Sequence, residues 1–203
     1  MLLIAANLVP LYGVFALGWQ VFPVLLLFWL ENVIVGLFNV LRILFARPDE
    51  VFTWFAKFFL CAFFIVHYGM FTSAHGFFIF SFFGNRNTGP NILIDADVVM
   101  DALVHYRLGI PALALFISHG FSFVANYIGK GEYKTANPQF LMMRPYGRIV
   151  VLHVTIIFGG FLVMALDAPA AALALLILFK IGLDLRTHFK DHKRRFTADE
   201  VAA

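Results

Sequence analysis

The chain has one cysteine, Cys61, in 203 residues. That excludes an internal disulfide and any CxxC redox or metal motif. Charge is also scarce. Asp, Glu, Lys and Arg make up 13% of the residues, against about 25% in soluble domains. The basic residues stand at the ends of apolar runs, so the net charge of +3 marks no face for nucleic acid. An HExxH metalloprotease signature is absent as well. Apolar surface is what the chain has in excess: 62% hydrophobic residues, 26 phenylalanines and a mean hydropathy of +0.86. These values predict an integral membrane protein, all-α, whose length suits one helical bundle over residues 1–203.

A span needs about 20 apolar residues, and the sequence offers about six such runs, near 2–17, 21–46, 51–83, 107–128, 146–166 and 169–188. Pro10 bends the first, and Pro23 sits harmlessly in the first turn of the second. The first run has no basic leader and no small-residue cleavage site, so it is expected to remain as a helix. Residues 92–106 alternate acids with aliphatics and are expected to lie at the interface. Residues 129–145 read as a polar loop. Arg42, Arg47, Lys57, Lys130, Lys134, Arg144, Arg148 and the cluster from Lys180 to Arg195 all fall on one side. Arg86 and Arg107 fall on the other, with Asp95, Asp97, Asp101 and Asp167. The positive-inside rule then predicts an inner-membrane protein with both termini in the cytoplasm.

Glu31, His67, His75, His119 and His153 interrupt these runs. An ionisable group at membrane depth costs about 2.5–3.5 kcal/mol on insertion scales and usually marks a site. By helical rise, Glu31, His75, His119 and His153 lie about 12–20 Å below the outer surface, with His67 deeper. Asn39, Asn126, Arg148, Asp184 and His188 form a second layer nearer the cytoplasm. Asn32 and Asn39, His119 and Asn126, and Tyr146 and His153 are each seven apart, so each pair shares an α-helical face. Interhelical hydrogen bonding alone accounts for many membrane histidines. Five ionisable groups on four runs point further.

Imidazole and carboxylate together suit a transition metal, zinc or iron above others, with Glu31, His67, His119 and His153 as ligands. His75 is then a fifth ligand or a catalytic proton shuttle. Asp184 is a candidate catalytic carboxylate, and Asn32, Ser118 and Tyr146 are supporting groups. Arg148 is free on this reading to pair with Asp184 or to hold an anionic substrate group. Metal-bound water would serve a hydrolase acting on a lipid or other membrane-partitioned substrate. A redox metal would serve an oxidoreductase instead. Haem b is an alternative, ligated by His67 with His153 or by His75 with His119. A metal or proton transporter is another. The expected partners are the bilayer and a lipid substrate. Nucleic acid is not among them, and oligomer formation stays open.

The pattern Trp29-Leu30-Glu31-Asn32, His67, His75, His119 and Asp184-xxx-His188 resembles a family of uncharacterised bacterial multi-span proteins, which implies no particular activity. In using intramembrane histidines with an early acidic residue, the chain is also similar to the intramembrane zinc hydrolases that include alkaline ceramidases and adiponectin-receptor-like proteins. It departs from them in having six expected spans instead of seven and no SxxxH.

Overall fold

A computed structural model describes residues 21–47, 51–84, 95–166 and 182. Every regular element among them is helical. In chain order these are α1 (Val21–Phe45), α2 (Val51–Phe83), α3 (Ala96–His105), α4 (Gly109–Ser122), α5 (Pro138–Met143) and α6 (Tyr146–Leu166). Residues Val21–His153 form one compact unit. Met1–Gln20 with Val154–Ala203 form a second, of which α6 beyond His153 is the described stretch. The expected runs at 2–17 and 169–188, with Asp184 and His188, lie outside the described residues. Among the described residues, three helical stretches are long and apolar enough to cross a membrane: Val21–Phe45, Trp54–Phe83 and Gly109–Ile128. They match the second, third and fourth expected runs. α6 occupies the fifth.

α1 is the central helix. It packs on α2, α4 and α5, and most of its side chains are buried. Close approach to α2 depends on Gly36. A Cβ there would lie 2.6 Å from Cε1 of Tyr68, well inside van der Waals contact. Two polar contacts pin the same seam. Trp29 Nε1 donates to the Thr72 carbonyl at 2.7 Å, and the Tyr68 hydroxyl donates to the Asn32 carbonyl at 3.0 Å. The C-terminal carbonyls of α1 would otherwise be orphaned. Lys57 Nζ, almost fully buried, donates to the carbonyls of Leu44 and Ala46 and sits 3.6 Å from the centre of the Trp54 ring. Tyr127 donates to the Arg42 carbonyl at 2.7 Å. A cation at the negative end of a helix dipole, roofed by an aromatic ring, explains how this lysine can be buried.

Two segments differ from the sequence expectation. The polar stretch 129–145 holds a 3-10 turn, Glu132–Lys134, and α5. Asn137 caps α5 by accepting from the Gln139 and Phe140 amides, and Pro138 occupies its first turn, a pairing that starts helices. The second difference is a π turn, Phe123–Ile128, that continues α4. It takes an extra residue per hydrogen-bonded turn. The α-helical count that put His119 and Asn126 on one face therefore does not carry through it. Asn126 donates to Ser122 Oγ at 3.4 Å, whereas His119 lies beside Glu31.

Candidate functional site: a polar column inside the bundle

The interior ionisable groups spread along the bundle. Counted at 1.5 Å per residue from the Val21 end of α1 and the Phe83 end of α2, His75 lies at about 12 Å, Glu31 at about 15 Å, His67 at about 24 Å and Asn39 at about 27 Å. On α2, His67 and His75 are eight residues apart and so point about 80° away from each other. No single ion could draw both without distorting the helix. Among the described residues, no group of three or more His, Cys, Asp or Glu side chains gathers as a metal site would. The five expected ligands fall instead into three separate contacts.

The first centres on Glu31. This carboxylate is buried, and Arg148 Nη1 donates to its Oε1 at 2.9 Å. His119 Nε2 is 3.8 Å from the same oxygen. Arg148, expected to meet Asp184 or an anion, is thus the partner of Glu31. It can reach because it stands on the first turn of α6 and has a long, half-exposed side chain. A fixed cation and a titratable base converge on one carboxylate oxygen.

The second contact joins α2 and α6. Nδ1 of His75 is 2.7 Å from the Phe71 carbonyl, and its Nε2 is 3.0 Å from Nδ1 of His153. These partners fix the tautomers. A carbonyl oxygen only accepts, so Nδ1 of His75 carries a proton that it donates to Phe71. In the neutral ring Nε2 then bears a lone pair. Nδ1–H of His153 donates to it, which leaves Nε2 of His153 as the open lone pair. His153 is exposed while His75 is buried, so the open nitrogen belongs to the accessible ring.

The third contact is His67 Nδ1 with the Tyr146 hydroxyl at 2.7 Å. The imidazole is stacked on Phe63, with ring centres 5.1 Å apart. Tyr146 and His153 do share a face of α6, as their spacing predicts, because each meets a histidine of α2. Asn32 and Asn39 are both buried on α1. Asn39 donates to the Leu141 carbonyl at 3.0 Å and Asn32 to the Phe28 carbonyl at 2.8 Å. The side-chain oxygens of both accept from no group among the described residues.

Sequence reasoning missed Tyr68. Its hydroxyl ties α2 to α1, and its ring centre is 6.0 Å from that of Tyr146, so it bridges the Asn32 turn and the His67–Tyr146 contact. The available signal was a tyrosine beside His67, deep in an apolar run, where a phenol requires a partner.

No curated protein and no solved structure matches the chain. A family model does match, over residues 1–200. The expected kinship with an uncharacterised family is therefore met, and the chain belongs to the family of unknown function DUF6498.

Proposed function

We propose that the protein is a multi-span membrane protein that moves protons, alone or coupled to a solute, through the interior that holds Glu31, His119 and Arg148. The membrane setting is supported by exposure that water would not tolerate. Phe55, Phe59 and Phe82 of α2 and Ile110 of α4 are each more than 70% exposed. Apolar area on that scale fits lipid. Six spans, an inner-membrane location and cytoplasmic termini complete this reading, on the charge asymmetry of the loops.

The observation that carries the proton reading is the shared oxygen of Glu31. While Arg148 donates to it, the carboxylate stays ionised and His119 need not be charged. If Arg148 swings toward the exposed end of its reach, a buried carboxylate is left without its fixed counter-ion. A proton held on Nε2 of His119 then passes to Oε1 of Glu31, leaving a neutral imidazole and a neutral acid. Return of Arg148 expels the proton. Asn32, Asn39 and His67–Tyr146 extend the polar path over about 12 Å of helix length. The unfilled acceptor oxygens of Asn32 and Asn39 suit a hydrated route. The test is proton flux into vesicles reconstituted with the protein, expected to exceed that of protein-free vesicles and to collapse in Glu31→Gln. Flux no greater than the protein-free background would end this reading.

A second reading keeps the metal. Two nitrogens bound to one tetrahedral ion at about 2.1 Å lie about 3.4 Å apart, and Nε2 of His75 and Nδ1 of His153, separated by 3.0 Å, are within a small movement of that spacing. A backbone acceptor on the remote nitrogen, as Phe71 provides for His75, is the usual orienting partner of a metal-bound imidazole. Zinc or iron held there would complete its coordination with water or substrate and would support hydrolysis or oxidation of a membrane-partitioned substrate. Haem has less support. The histidine couples expected for it, His67 with His153 and His75 with His119, are not the couples that meet.

A further inference from the structure

Where α1 ends and α2 begins, two guanidinium groups lie on a pair of tyrosine rings. The guanidinium carbon of Arg42 is 6.0 Å from the centre of the Tyr127 ring, and that of Arg47 is 5.4 Å from the centre of the Tyr133 ring. The two ring centres are 6.5 Å apart. Contacts to the backbone hold this frame. The Tyr127 hydroxyl donates to the Arg42 carbonyl at 2.7 Å, and the Arg47 amide donates to the Tyr133 carbonyl at 2.9 Å. Among the described residues, neither guanidinium has a hydrogen-bond or ion-pair partner. Arg47 is exposed, so water serves it. Arg42 is half-buried, and a cation withdrawn from water calls for a counter-charge. Its surroundings supply mostly the wrong sign. Arg144 and Arg148 act on it with like charge, against a single carboxylate, Glu132. Lys130 and Lys134, on the segment that carries Tyr133, are exposed.

We propose that Arg42, assisted by Arg47, binds the phosphate of an anionic phospholipid headgroup. A guanidinium can hold a phosphate through two parallel hydrogen bonds, and phosphate is the anion that a membrane surface presents. The level fits. Arg42 stands in the last turn of α1, about 4.5 Å by helical rise from its end at Phe45. The neighbouring surface separates a lipid from a free phosphate ion. Phe45 lies three residues on, along the same face of α1. It is more than half exposed, as is Val124 of the π turn. The Phe45 ring is 6.1 Å from that of Phe123, so α1 and the π turn together make an apolar strip beside the cation. An acyl chain has a place there once the headgroup is held. Arg47, Lys130 and Lys134 add positive potential, which favours a net negative headgroup over a zwitterionic one. The proposal rests on the membrane setting put forward above and not on proton movement at Glu31.

The probe is dioctanoyl phosphatidylglycerol, titrated into the purified full-length protein in a neutral detergent. Dioctanoyl phosphatidylcholine and inorganic phosphate are the comparisons. Native mass spectrometry reads occupancy, and a thermal scan reads the stabilisation that binding brings. Saturable binding of one phosphatidylglycerol per chain is expected, about tenfold tighter than phosphatidylcholine, with no stabilisation by inorganic phosphate at the same concentration. Arg42→Gln should weaken phosphatidylglycerol about tenfold. Arg107→Gln, at an exposed position between α3 and α4, should leave it unchanged. Without lipid, Arg42→Gln should unfold no earlier than the parent, because the group it removes leaves no partner stranded. Equal affinity for the two lipids, or equal losses in Arg42→Gln and Arg107→Gln, would overturn the proposal. So would inorganic phosphate binding as tightly as the lipid, or a lipid-free Arg42→Gln that unfolds well below the parent. A chain that stays monodisperse in buffer without detergent would overturn the membrane setting along with it.

Discussion

Breaking the Glu31–Arg148 pair should destabilise the fold asymmetrically. At 2.9 Å and an effective dielectric of about 20, the attraction is about 6 kcal/mol, offset by the cost of removing both groups from water. Removing one partner of a fully buried pair costs about 3–5 kcal/mol, because the other charge is stranded. Here the Arg148 side chain is 29% exposed and that of Glu31 is 7% exposed. A stranded guanidinium can turn to polar surroundings, whereas a stranded carboxylate cannot. Arg148→Met is therefore expected to cost about 3 kcal/mol near pH 8 and Glu31→Gln about 1–2 kcal/mol, with the double variant well below their sum. Reversible unfolding in mixed micelles, followed by circular dichroism, reads the difference between the variants. Equal costs and strict additivity would refute the reasoning.

Gly36→Ala should unfold several degrees below the parent, because its methyl group would fall 2.6 Å from the Tyr68 ring and overpacking costs about 1–3 kcal/mol. A thermal scan checks this, and a parent-like transition would show that the α1–α2 seam has slack. For the metal reading, protein purified without chelators should contain zinc or iron by elemental analysis, and His75→Ala should lose it while His67→Ala keeps it. Metal content equal in the parent and His75→Ala would remove the His75–His153 edge from consideration, and a Soret band would transfer the claim to haem.

The helices were legible because apolar runs and their polar breaks leave little choice of element. The ranges at 21–46 and 51–83 coincide closely with α1 and α2. Glu31, His119 and the four-helix spread of ionisable groups were legible because charge in an apolar run stands out. What the sequence could not convey was which of them meet. Depth estimates set His75, Glu31, His119 and His153 at similar levels, and similar depth looked like convergence. Azimuth decides otherwise: the 80° offset between His67 and His75, and the π turn after Ser122, distribute the groups over separate contacts. Arg148 falls in the second polar layer by residue spacing, although its side chain reaches Glu31 of the first. Such reach depends on a rotamer and on helix packing, neither of which is written in residue spacing.

The most direct measurement is proton entry into sealed vesicles carrying the purified chain, driven by an imposed potassium diffusion potential and read with a trapped pH-sensitive dye. The account predicts entry above the protein-free background in the parent, slower entry in His119→Gln, and background entry in Glu31→Gln, with all three folded by circular dichroism. Background entry in the parent, or a folded Glu31→Gln that admits protons as fast as the parent, would contradict it.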